Sequence, residues 1–194
     1  AANDDLRVAI MSSLRPESAL FQRLLKNEAI PAAAALPAVK PTSADREKVI
    51  AGYAGLEKLK GDASKGRVHF ETLCAVCHRL RGQGHEVGPD LDMTGAKPDA
   101  WLLAAILDPA QSIEARYRPW KVTLRAGGEV TGVISAETAN NLVLRLPGGA
   151  ERAILRTEVA AISPVEGSLM PAGFESALSP AAMADVLAWL RAAE

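Results

Sequence analysis

The hydrophobic positions change period along the chain. In SPAAMADVLAWLRAAE, Met183, Val186, Leu187 and Leu190 recur at helical spacing. Ser179 and Pro180 stand where an N-cap and a first helical residue belong, so a helix is expected from there towards the C-terminus. DAWLLAAIL, about Asp99 to Leu107, reads as a helix stopped at Asp108-Pro109. Asp62 precedes a third helix over ASKGRVHFETLC. Thr42 to Leu59 reads as a fourth, with Thr42 and Asp45 in capping-box spacing. Between 117 and 165 the period falls to two. WKVTLRA alternates Trp120, Val122 and Leu124, EVTGVIS alternates Val130, Gly132 and Ile134, and LVLRL, RAILR and VAAIS come next. Gly127-Gly128, Asn140-Asn141 and Gly148-Gly149 supply turns between them. Five such strands in a meander predict a small, partly closed barrel.

Upstream, LRVAIMSSL and SALFQRLLKNEAI read as a helix pair joined at Arg15-Pro16, ahead of the Ala/Pro linker PAAAALPAVKP. The pair is either the end of a helical-repeat array of the HEAT kind or a cap native to this domain. The expected organisation is an N-terminal helical segment and linker (1–41), a first helical part (42–116), a β insertion (117–165), and a loop with a final helix (166–194). The fold class is mainly α with a β insertion.

Composition narrows the function classes. Of 194 residues, 48% are hydrophobic and 23% charged, with a net charge of −1. That balance is globular and speaks against a general nucleic-acid binder. No run approaches the ~20 apolar residues of a membrane span. The opening AANDDLRV has neither the basic start nor the apolar run of a signal peptide. A cytoplasmic protein, a processed form and the C-terminal part of a larger chain all remain open.

The two cysteines, Cys74 and Cys77, both lie in LCAVCHRL. A structural zinc ribbon needs a second ligand pair, and His69 and His85 are isolated. A redox dithiol wants a preceding strand, whereas GRVHFETLC reads as a helix. C-x-x-C-H is also the attachment motif of c-type haem. On a helical turn Cys74 and Cys77 present their sulfurs on one side for two thioethers. His78, next along, offers its imidazole to the iron.

Beyond the motif the chain resembles class I cytochromes c. RGQGHEVGPDL contains a Gly-Pro-Asp-Leu stretch similar to the loop behind their haem motif. The resemblance implies that the Pro89 carbonyl accepts the ring N–H of His78. It also implies a distal methionine in a loop before the last helix, which points to Met170 in EGSLMPAGF. Met11 and Met183 read as core. Met93 is close behind Pro89, and His85 reads as a solvated loop residue that could serve as the runner-up ligand. Gly66 and Phe70 are expected to meet Trp189 and Leu190 where first and last helices cross. In these terms the fold is a class I cytochrome c-like helical haem domain carrying a barrel-like β module and N-terminal helices.

The order KGDASKGRVHFETLCAVCH, VGPDL, WLLAAILDPAQSIE, strand-rich insert and SLMPAGF resembles the haem-binding domain at the C-terminus of large planctomycete and verrucomicrobial proteins. That resemblance covers about residues 42–194. It implies one covalent haem c with His78 and Met170 on the iron, a periplasmic or extracytoplasmic location, and electron transfer with a redox partner, a dehydrogenase or another cytochrome. It implies an electron carrier rather than an enzyme. A haem enzyme or a gas or redox sensor with an open distal site is the competing reading. Six basic residues between 57 and 81 (Lys58, Lys60, Lys65, Arg67, Arg79, Arg81) are a candidate docking flank for an acidic partner.

Overall fold

Ser43 opens the first helix, α1 (Ala44–Ala51), and its hydroxyl accepts from the Arg46 N–H at 3.2 Å. The computed structural model to which this helix belongs describes residues 43–192. The N-terminal helix pair, the linker, Met11 and Thr42 lie outside the described residues. The helix expected over Thr42 to Leu59 is shorter than its pattern implies. Gly52 ends it, Gly55 turns at φ 85°, and only a 3₁₀ turn at Leu56–Lys58 comes after. The N-cap is therefore Ser43, one residue beyond the expected Thr42.

α2 (Ala63–His69) starts at Asp62, whose carboxylate accepts from the N–H groups of Ser64 and Lys65. It runs into a single π-helical turn, Phe70–Cys74. Such turns insert one extra residue and recur at functional sites. A short hairpin is next, β1 (Arg79–Leu80) and β2 (Gln83–Gly84). α3 (Asp99–Leu107) has the expected bounds, and α4 (Pro180–Arg191) is capped by Ser179 with Pro180 at the first position. α2 and α4 pack at Gly66. A Cβ there would lie 2.5 Å from the Asp185 carbonyl carbon and 2.8 Å from Trp189 Cβ, so only glycine admits this approach. Phe70, Leu107, Met183 and Leu187 are buried in the core these helices share.

The strands form a second body of structure with its own core. β3 (Pro119–Leu124), β4 (Glu129–Glu137), β5 (Asn141–Arg145), β6 (Glu151–Leu155) and β7 (Val159–Pro164) pair antiparallel in the order β6-β5-β4-β3-β7. Val122, Val130, Leu142, Leu144 and Ile154 fill one face. All five expected strands are present, but the closure is not. β6 and β7 stand at opposite edges, so the ladder is an open sheet and not a barrel. Alternation fixes which side chains face inward and carries nothing about whether the edges meet. The mainly-α description is corrected likewise, because the sheet is nearly as large as the helical part. The insertion also closes on itself, with Trp120 opposite Pro164 and the Val165 N–H donating to Pro119 O at 3.0 Å. Among the described residues no helix is long and apolar enough to cross a membrane.

Candidate functional site

The π turn delivers Cys74 to the end of the α2 arm, and the backbone then keeps one more helical turn. Cys74 O accepts from the N–H groups of Cys77 at 3.0 Å and His78 at 2.9 Å. That turn holds the two cysteines three residues apart on a continuous helical path. Both are free thiols and half-buried. Burial pushes the Cys74 thiol up to about 11, with the neighbouring Cys77 adding to the shift, and burial raises Cys77 too. Neutral, sheltered thiols are poor nucleophiles for disulfide exchange. Among the described residues no three His, Cys, Asp or Glu side chains converge as a metal cluster.

His78 stands next along, as expected. Its Nδ1 lies 2.7 Å from Pro89 O. A carbonyl only accepts, so Nδ1 carries the proton and Nε2 keeps its lone pair. Burial lowers the His78 pKa, opposed by that same hydrogen bond, so the ring is neutral near pH 7. Gly88 closes against it, since a Cβ there would fall 2.6 Å from His78 Cε1. The loop is stitched back onto the motif by Val87 N–H and Gly88 N–H, donating to Cys77 O at 2.9 and 2.7 Å, and by His85 N–H to Ala75 O at 3.0 Å. Two adjacent thiols and a fixed imidazole with a free ring nitrogen are the donor set that a covalently attached haem requires.

Met170 lies half-buried in the stretch between β7 and α4, its N–H donating to Ser168 Oγ at 3.1 Å. Pro89 and His78 are brought together by the hydrogen bond between them. Met183 is fully buried and Met93 is 82% exposed. His85 is exposed, as expected, yet its ring packs on Gly149 in the turn between β5 and β6, where a Cβ would come within 2.8 Å of His85 Cγ.

The basic flank is less free than its run implies. Arg79 pairs with Glu86 and Asp90, both at 2.8 Å, and Arg67 with Glu71 at 2.7 Å. Arg81 donates to Trp189 O at 2.6 Å and Ala192 O at 2.9 Å, closing the end of α4, and stacks 4.3 Å from the Trp189 ring. Sequence reading also missed Arg46. It donates to Leu107 O at 3.1 Å and pairs with Glu175 at 2.8 Å, tying α1 and the end of α3 to the segment ahead of α4. These partners lie 61 and 129 residues away, beyond any local signal.

Similar proteins are cytochromes c. The chain is 53% identical over 34 residues to a cytochrome c of Arabidopsis thaliana, covering 17% of this chain and 30% of that one. It is 52% identical over 33 residues to a cytochrome c-553-like protein of Synechocystis sp., covering 17% and 30%. For a cytochrome c of Cochliobolus lunatus the identity is 52% over 33 residues, covering 16% and 31%. The chain thus spans about a third of the length of the curated relatives it matches. Residues 63–143, with the CAVCH motif among them, match the family model for cytochrome c.

Proposed function

We propose that this chain carries single electrons on one covalently held haem c, bound through thioethers at Cys74 and Cys77. His78 Nε2 is the proximal ligand and Met170 the distal one. The observation that carries the reading is the His78–Pro89 hydrogen bond beside two free thiols. It fixes the tautomer and ring angle that ligation needs and raises the basicity of Nε2. The haem supplies a one-electron couple. Holding the iron between them, His78 and Met170 would leave it no site for an outside ligand and would favour the ferrous state. Met170 is supported by its place ahead of the α4 cap, by the burial of Met183 in the core and by the exposure of Met93.

The planctomycete and verrucomicrobial resemblance extends the proposal. There the domain hands electrons from a dehydrogenase, or onward along a respiratory chain, outside the cytoplasm. The first test is the absorption spectrum of the haem-loaded protein, oxidised and reduced, beside Met170→Ala. A low-spin spectrum with a weak far-red sulfur-to-iron band, lost in the variant, is expected. The reduced wild type should also ignore carbon monoxide. A high-spin spectrum with rapid carbon monoxide binding would instead favour the sensor or enzyme reading.

A further inference from the structure

The turn between β5 and β6 does not end in solvent. Its backbone at Pro147–Gly149 reaches the attachment motif, where the Gly148 N–H donates to Val76 O at 2.8 Å, between the two cysteines. Gly148 and Gly149 both hold positive φ, 81° and 76°. Gly149 is doubly constrained, because His85 fills the space a side chain would need. Arg145, the last residue of β5, crosses to the far arm of the same loop and donates from Nη1 to Glu86 O at 2.6 Å. Its guanidinium also lies 3.9 Å from the Glu86 carboxylate and 3.2 Å from Glu151 on β6.

The insertion therefore grips both arms of one loop, at Val76 on the outgoing arm and at His85 and Glu86 on the returning arm. The next residues are the ones that matter to the ring. Val87 and Gly88 bond to Cys77 O, and Pro89 accepts from His78. We propose that the β5–β6 hairpin is an intramolecular clamp on the attachment loop, with Arg145 and Gly149 as positioning residues for the His78–Pro89 hydrogen bond. The inference rests on the haem reading for its effect on potential, while the clamp itself is a property of the chain. A firm Nδ1–H···O bond makes the imidazole a better donor and stabilises ferric iron. Loosening the clamp weakens that donation, so the reduction potential rises.

The test uses the haem-loaded full chain with Arg145→Ala, Arg145→Lys and Gly149→Ala, and Arg152→Ala on the same sheet as control. Amide hydrogen exchange and reduction potential are read together. In Arg145→Ala, exchange at residues 85–88 should quicken about tenfold while Leu142 and Leu144 stay protected. The potential should rise, Arg145→Lys should recover part of both effects, and Arg152→Ala should change neither. Gly149→Ala should act like Arg145→Ala, because its contact with His85 lies on the same returning arm. Unchanged exchange at 85–88, or a fall in potential, overturns the proposal. If the wild type takes up no covalent haem, the functional reading fails, and the exchange pattern still decides the clamp.

Discussion

Buried ionisable side chains are where single residues have the clearest consequences. The Tyr53 hydroxyl donates to the Leu178 carbonyl inside the helical core, and burial raises its pKa above the ordinary 10.0, with Glu175 adding to the shift. In the unfolded chain it ionises near 10.0, so between that value and the folded one the native state holds the extra proton. Its contribution is complete below pH 10 and is lost as pH rises further. Urea midpoints of the haem-loaded protein should decline above pH 10, and the decline should be shallower in Tyr53→Phe. At this scale the motif was legible. Five consecutive residues encode both thiols and the imidazole, and the Pro89 contact is only 11 residues away. Arg145 and Arg46 were not legible, because an arginine on a strand or helix names no partner until the fold supplies one.

Among elements, the α2–α4 crossing is the most exacting contact. Gly66→Val would put a Cβ 2.5 Å from the Asp185 carbonyl carbon and 2.8 Å from Trp189 Cβ, which cannot retreat as a flexible side-chain end could. Overpacking of this kind costs about 1–3 kcal/mol. A lowered thermal midpoint with the haem still attached is the expected outcome, read by circular dichroism and intact mass. The strands were readable because a half-buried sheet writes its period into the sequence. α1 was over-extended because Val49, Ile50, Tyr53 and Leu56 keep an apolar rhythm across a break. Gly52 and Gly55 end the helix between them, and the rhythm continues only because the following turn packs on the same core. Open edges were unreadable for a different reason, since closure depends on twist and bulge. The bulges between Thr123 and Leu124 and between Ile134 and Ala136 have no sequence mark.

At the largest scale the described residues hold two apolar cores, one under the helices and one on the sheet. Phe70→Ala in the first should cost about 3–5 kcal/mol, and Leu142→Ala in the second about 2–5 kcal/mol. As they share no cluster, the double variant should lose the sum to within about 0.5 kcal/mol in denaturant titrations. A larger discrepancy would mean that the cores are coupled through the hairpin. The division also bears on how the chain reaches its native state. α2 cannot meet α4 until more than a hundred residues have been brought round, and an open loop of that length resists closure by its entropy. Because β3 and β7 are neighbours, a finished sheet delivers its two ends one strand spacing apart, roughly 5 Å. Folding of the sheet thus shortens the remaining loop to little more than half its length. The insertion is then less an obstacle between the two crossing helices than a reel that takes up the intervening chain before they close.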